Sequence, residues 1–598
     1  MEVNSLTYVD NRMKIFTTWG YLMRKVFSYL KPYKLSIIIA YSLTFIELII
    51  ELLLPLFLGL MINEGVVNKD LNNVIMWGSI MIGLALFSFL CGIMNTFYAS
   101  HTSTGFAYDV RKELFAKIQA FSFANLNKFP TSALVTRFTN DVRQVQNVIF
   151  MGLRVMTRAP LMIIGGVIMA FVVNAKIALI FLVTVPLLIT FVFWVLKRAS
   201  VMFKNVQVKV DNVNRTMQEN LSNMRLIKAF YRHDYERERF KEANEDLAVS
   251  TRKTFRFVEA SMPILLFVMN LSIIFIIWFG NIQSVAGNAE VGDVVAIVNY
   301  GLRTAMAISM LTWITMAFSR FKASSERISE VLDLEIDLTD HEDAKGDTFI
   351  TEGKIEFNNV SFTYPHTETK ILKDFSFTVN PGERLAIIGA TGAGKTTLFQ
   401  LIPRLYDVDE GEIYIDSKPI THYKLSDLRN NIGYVPQSPL LFSGSVAENI
   451  AWGKETASLE EIMQAAKDAQ IHDLIMKLPD KYDTNISQRG VNLSGGQQQR
   501  ISIARALVRD PKILMFDDST SALDLATESK LLDALGKYNC STLIITQKVA
   551  TALRADRILL MDHGELLAIG THEELLETSE LYKDIVKSQF GEELPYAN

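Results

Sequence analysis

The chain reads as two halves, an α-helical membrane-spanning half followed by an α/β half on a largely parallel sheet. Three observations predict this. Long apolar runs crowd the first 330 residues. Short β-rich and helical runs alternate after residue 351. A glycine-rich loop, Gly389 to Thr397, joins a strand to a helix within that second part.

At 598 residues the chain is too long for one ordinary domain. Hydrophobic residues make up 49%, with 37 Phe and 23 Met, and mean hydropathy is +0.20. Yet 21% of residues are charged, so lipid cannot surround the chain throughout. The net charge of −4 argues against a basic field for nucleic acid. The two cysteines, Cys91 and Cys540, are far apart and share no metal-ligand spacing, which excludes a disulfide scaffold or zinc ribbon. Abundant apolar material excludes global disorder.

A bilayer crossing needs about 20 mostly apolar residues. Leu35–Ile62, Val74–Tyr98 and Ile177–Leu196 meet that length, and Met262–Phe279 is a shorter fourth. Met151–Val173 carries Arg154 and Arg158, and Val294–Phe318 carries Arg303, yet both read as spans. Six crossings result. The first 34 residues predict no cleavable signal peptide but an amphipathic stretch lying at the cytoplasmic surface.

Lys and Arg counts set the orientation. Residues 63–72 hold only Lys69, 172–178 only Lys176, and 280–292 none. The alternate connections are long and basic: 101–140 holds Arg111, Lys112, Lys117, Lys128 and Arg137, and 197–253 is richer. The N-terminus and the basic loops therefore face the cytoplasm, and the outward loops are short. The segment VRKELFAKIQAF, 110–121, has helical spacing, so helices should continue beyond the bilayer and turn on short amphipathic segments. Those charges are a solvated face or a docking surface for another domain.

The pattern changes after Phe318. Residues 333–347 form an acidic, turn-rich linker. KIEFNNVSFTY, ERLAIIGA, ILMFDD and STLIITQ then read as strands. No internal repeat or low-complexity tract occurs. The expected divisions are a membrane domain over 1–330, a linker over 331–350 and an α/β domain over 351–598.

LAIIG runs into Gly389, Ala390, Thr391, Gly392, Ala393, Gly394, Lys395, Thr396 and Thr397. This is G-x-x-x-x-G-K-T between a strand and the helical run TLFQLI. Such glycines let successive amides cradle phosphate oxygens, and the new helix turns its positive end to the anion. Lys395 supplies a charge for the β- and γ-phosphates, and Thr396 ligates Mg²⁺. ILMFDD ends a buried strand in two carboxylates at the sheet edge where ligands bind. Asp517 there would hold Mg²⁺ through water. Asp518 would face the γ-phosphate, where an attacking water sits.

Between these lie Leu493, Ser494, Gly495, Gly496 and Gln497, followed by QQRISIARAL. With this segment the chain resembles the ATP-binding cassette family along its whole length. Six spans and one cassette give the layout of an exporter half-transporter. FPTSALVTRFTNDV and NMRLIKAFYRHDYERERF resemble that family's cytoplasmic loops, which implies a coupling role. The resemblance further implies that Tyr364 stacks on adenine. Gln437 in YVPQ would lie near Mg²⁺ and the membrane domain. Ser521, Ala522, Leu523 and Asp524 would form the inter-subunit loop. It also implies that two cassettes sandwich two ATP molecules, each site completed by the other chain's Leu-Ser-Gly-Gly-Gln.

Two positions depart from the family pattern. Asp518 stands where glutamate normally polarises the attacking water, and Gln547 where histidine normally touches the γ-phosphate. Shortening the base by a methylene could cost on the order of a hundredfold in rate. Gln547 still offers an amide donor. Gln488 replaces another usual glutamate. Binding elements persist while the hydrolytic pair is altered. The expected assembly is therefore a heterodimer. Its partner half-transporter brings an intact glutamate and histidine, and this chain completes the partner's site with its signature.

Glu47 and Glu51 share a face of the first span. They either line a site for cationic amphiphiles or protons, or pair with Arg154, Arg158 or Arg303. The function expected is ATP-driven export of hydrophobic or amphipathic compounds from the cytoplasm or inner leaflet, of multidrug type. A lipid or lipopeptide flippase and a regulatory cassette that does not pump are the alternatives. The expected location is a bacterial plasma membrane, with the cassette in the cytoplasm and no nucleic-acid partner.

Overall fold

The computed structural model describes residues 26–341, 344, 349–365 and 367–591. Most of the expected N-terminal amphipathic stretch and part of the acidic linker lie outside the described residues. The chain divides into two compact units. One runs to Gln119 and resumes over Pro130–Leu334. The other joins Ala120–Phe129 to Glu335 and the residues after it.

In the first unit, six helices among the described residues are long and apolar enough to cross a membrane: Val26–Val67, Leu71–Gln119, Thr131–Val173, Ala175–Ser222, His233–Val285 and Val291–Asp333. We number them spans 1 to 6. All six expected crossings are present, and all run longer than their apolar cores, at 42 to 53 residues. At 1.5 Å per residue even the shortest spans roughly twice the bilayer's hydrocarbon thickness. Basic stretches such as 101–119 and 197–222 are helical continuations of spans 2 and 4.

The opposite ends are tight. Residues 68–70 join spans 1 and 2, Asn174 alone joins spans 3 and 4, and 286–290 join spans 5 and 6. Asn174 Oδ1 accepts the amides of Lys176 and Ile177, capping span 4 so that one extended residue suffices for the reversal. Spans 1 and 6 meet at Gly59 and Gly292. A Cβ on Gly292 would lie 2.1 Å from the Gly59 carbonyl oxygen, so only glycine permits this approach. Asn63 Oδ1 accepts the Gly292 amide there at 2.7 Å. Span 3 departs from α-helical winding at Gly152–Met156, a π-helical turn just ahead of Arg158. Elsewhere in the same unit, buried Asp141 accepts from Ser324 and Arg327, and Arg137 pairs with Glu330, fixing span 3 to span 6.

The second unit holds strands β1 (Ile355–Thr363), β2 (Lys370–Val379), β3 (Arg384–Gly389), β4 (Glu410–Ile415), β5 (Lys418–Pro419), β6 (Ile432–Val435), β7 (Gly444–Ser445), β8 (Asn485–Ile486), β9 (Ile513–Asp517), β10 (Ser541–Ile545), β11 (Arg557–Asp562) and β12 (Glu565–Gly570). The main sheet has the order β12-β11-β3-β10-β9-β6. It is parallel except for β12. Every residue of β9 and β10 is buried, as expected of strands covered on both faces. An antiparallel sheet, β2-β1-β4-β5, packs into the same core through Phe357, Phe362, Phe375 and Leu372. The four strand segments read from sequence correspond to β1, β3, β9 and β10.

Candidate functional site

Three strands of the parallel sheet end at one edge. β3 delivers the glycine-rich loop, β9 delivers Asp517 and Asp518, and β10 leads to Gln547. This is where an open α/β sheet gathers ligands. Gly392 and Gly394 adopt φ of +86° and +96°, which turns the loop so that helix Lys395–Leu401 starts beneath it. Lys395 is buried, and its Nζ donates to the Gly389 and Ala390 carbonyls at 2.8 Å each. The ammonium is thus folded over the loop it would neutralise phosphates from.

Thr396 Oγ1 donates to Asp517 Oδ1 at 3.0 Å, and the Tyr434 hydroxyl donates to Asp517 Oδ2 at 3.1 Å. Gln437 Nε2 donates to Asp518 Oδ2 at 3.4 Å. Of the three residues expected at a magnesium ion, Thr396 bonds Asp517 directly, and Gln437 bonds the neighbouring Asp518. Their donors are hard oxygens: a hydroxyl, a carboxylate and an amide carbonyl. That set fits magnesium, which binds proteins through one or two carboxylates and keeps several waters. Burial pushes both Asp517 and Asp518 above the ordinary carboxylate value, and pushes Lys395 below the usual lysine value against the pull of the two aspartates.

Asp518 has φ of +47°, and its amide donates to the Ile545 carbonyl. A left-handed, non-glycine residue at such a place carries backbone strain. Its own carbonyl accepts the Ser521 hydroxyl at 2.8 Å, which opens the loop Ser521, Ala522, Leu523 and Asp524. Asp524 caps the next helix by accepting the Thr527 amide. Gln547 is exposed, and its carbonyl accepts from Gln589 Nε2 at 2.7 Å.

Tyr364 does not stand free. Its hydroxyl bonds Thr397 Oγ1 and Gln400 Oε1, and its ring meets Tyr406 edge-on at 5.4 Å. Tyr406 in turn accepts from Asn127 Nδ2 at 3.1 Å, on the short helix Phe123–Asn127 that packs within this unit.

The signature segment lies apart from these groups in sequence and opens helix Gly495–Leu507. Ser494 is the N-cap, in a capping box with Gln497, and Ser494 and Gly495 are exposed. Leu493 is half-buried against the helical core, and Gly496 lies 3.4 Å, by its Cβ position, from the Ala522 carbonyl. Gln488 is exposed.

Residues outside the sequence reading also bear on the site. Lys548 Nζ donates to the Thr520 and Leu523 carbonyls and to Glu528, holding the loop after Asp518 from below. Tyr434 orients Asp517. Lys548 adjoins Gln547 and Tyr434 lies in the YVPQ string, so sequence position carried a signal for both. Nothing in the sequence marked Tyr406.

In the membrane unit, Arg158 joins Glu47 to Glu51. Nη1 meets Glu47 at 2.8 Å, Nε meets Glu51 at 3.1 Å, and Nη2 also bonds Glu51. Arg303 adds an ion pair to Glu51 at 3.2 Å. Arg154 instead lies over the Phe150 ring. Of the two readings open for the glutamates, pairing describes their contacts. Glu51, Arg158 and Arg303 nevertheless also line a cavity of about 210 Å³ with Met162, Met306 and Met310.

Known proteins resemble this chain in sequence and fold. Residues 37–306 match the family described as ABC transporter transmembrane region, and 372–521 the family described as ABC transporter. The chain is 54% identical over 571 residues to "Uncharacterized ABC transporter ATP-binding protein YfiB" of Bacillus subtilis, covering 96% of this chain and 99% of that one. It is 32% identical over 579 residues to "Putative multidrug export ATP-binding/permease protein YgaD" of the same species, covering 95% and 99%. A bacterial Atm1-family ABC exporter with ATP bound shares the fold at a TM-score of 0.75 and 24% identity, covering 94% of this chain and 99% of that one.

Proposed function

This chain belongs to the ABC transporter family, with transmembrane region and ATP-binding domain in one polypeptide, and from that premise we propose that it is one subunit of a heterodimeric exporter. It binds ATP at its own phosphate loop, hydrolyses it slowly, and lends Ser494, Gly495, Gly496 and Gln497 to the partner's ATP. The partner carries the glutamate and histidine that this chain lacks. The cargo is hydrophobic or amphipathic, a reading supported by the printed name of YgaD and by the methionine-lined cavity. The membrane is the bacterial plasma membrane, with the cassette on the cytoplasmic side.

One observation carries the asymmetric reading. The binding groups are assembled, with Thr396 on Asp517 and Lys395 over its loop, while the base position holds a short carboxylate tied to Gln437. A base must come within about 2.6–3.2 Å of the proton it takes. Asp518, one methylene short on a strained backbone, reaches less far. Burial, by raising its pKa, makes the side chain a better proton acceptor once ionised, which partly offsets the lost reach.

In this reading the residues divide the work. Lys395 and the loop amides bind phosphate, and Tyr364 binds the base. Thr396, Asp517 and Gln437 hold magnesium, which supplies charge neutralisation on the phosphates. Asp518 orients water, with Gln547 donating from its amide.

The test is to purify the chain alone in lipid and measure Mg-ATP hydrolysis. Turnover near the ordinary enzyme value of about ten per second, without any partner, would overturn the proposal. Uptake of a fluorescent dye into vesicles, with the partner present, separates pump from regulator.

A further inference from the structure

The paired charges inside the membrane unit carry a sign preference. Glu47 and Glu51 already hold guanidinium groups, and Arg158 spends Nε, Nη1 and Nη2 on them. Arg303 differs. Among the described residues, its fork of five N–H donors makes one ion pair, through Nη1 to Glu51. Arg303 faces the same cavity as Met162, Met306 and Met310. A cation entering there meets carboxylates whose charge is already matched and must displace an arginine. An anion meets N–H donors still to be used, in surroundings where an unpaired charge is costly. The thioether side chains offer a deformable apolar wall beside those donors.

Resting on the exporter reading, we propose that this cavity binds an amphipathic anion, with its carboxylate, sulfonate or phosphate head on Arg303 and its apolar body against the methionines. The preference is opposite to the cationic one that two acidic residues in a span suggest by themselves.

Direct binding tests this without transport. The full chain, in phosphatidylcholine nanodiscs and without nucleotide, is titrated with pyrenebutanoate, its methyl ester and pyrenebutylamine, read by energy transfer from tryptophan. The acid should bind about tenfold more tightly than the amine, the scale of one charge-assisted hydrogen bond. Arg303→Gln should reduce the acid to the affinity of the ester, and Arg303→Lys should keep the preference. Equal binding of acid and amine by the unaltered chain, or an undiminished preference in Arg303→Gln, overturns the proposal. If Arg303→Gln does not fold, Glu51→Gln decides instead: it frees Arg303 and two nitrogens of Arg158, whose Nη1 stays on Glu47, and must strengthen the acid, and a weakened acid overturns. Discs containing phosphatidylglycerol identify the source. Displacement of the acid marks a lipid headgroup, and undisturbed binding marks a free amphiphile. Both support an anionic head. Failure of dye export with this binding intact would sink the exporter reading and leave the site.

Discussion

The Tyr364 hydroxyl lies 2.9 Å from Thr397 Oγ1, tying the aromatic expected at adenine to the helix behind the phosphate loop. Stacking on a base must compete with that tether and with the one to Gln400. Tyr364→Phe keeps the ring and drops both bonds, each worth about 1 kcal/mol. It should bind a fluorescent ATP analogue severalfold more tightly. Tyr364→Ala should bind it about tenfold more weakly, since base–aromatic stacking is worth ~1–3 kcal/mol. Weaker binding by Tyr364→Phe would mean that the hydroxyl serves the nucleotide directly.

Hydrolysis at this chain's own site should have a displaced acid limb. The carboxylate form of Asp518 is the one that accepts a proton, and burial raises its pKa. As pH falls, activity should therefore fade at a higher pH than an ordinary aspartate would give. Asp518→Asn should abolish the limb along with the activity. Asp518→Glu with Gln547→His should raise hydrolysis at this chain's own site roughly ten- to a hundredfold, measured by phosphate release from the proposed heterodimer with the partner's catalytic glutamate replaced by glutamine.

Glu51 holds more than Glu47: two nitrogens of Arg158 and one of Arg303. Glu51→Gln should accordingly cost more stability than Glu47→Gln. The pair is partly exposed, so the expected loss is about 1–3 kcal/mol, below that of a fully buried pair. Thermal unfolding in nanodiscs gives the comparison, and an equal loss would show that the additional contacts of Glu51 contribute nothing.

Glu528 is buried, bonded by Lys548 Nζ at 2.9 Å and by Thr551 Oγ1 at 2.6 Å. Lys548→Met strands that carboxylate and releases the Thr520 and Leu523 carbonyls. It should destabilise the cassette by about 3 kcal/mol, and adding Glu528→Leu should restore much of it. In the proposed heterodimer, the Lys548→Met, Glu528→Leu double variant should still hydrolyse more slowly once its stability is restored, because the Thr520 and Leu523 carbonyls remain released.

The spans and the phosphate loop were legible because their signals are local. A run of apolar residues or G-x-x-x-x-G-K-T requires no knowledge of what lies opposite. Span ends were less legible. Past the hydrocarbon, spans 2 and 4 continue on residues whose helical face is mixed with charge, and a hydropathy reading stops at Tyr98 and Leu196. Arg158 and Glu47 lie 111 residues apart, so the sequence offered three candidate arginines and only packing chooses between them. The contacts of Tyr364 with Gln400 and Tyr406 were not legible, because those residues arrive from elsewhere in the chain.

Among the described residues, the membrane unit's short connections offer little to a reagent. Residues 68–70, Asn174 and 286–290 make up these connections, and the chain's two thiols, Cys91 and Cys540, are both buried. The native background is thus silent toward an impermeant maleimide. A single cysteine introduced at Asn288 should become labelled in whole cells without any cysteine-free parent, and one introduced at Tyr231 should react only after lysis.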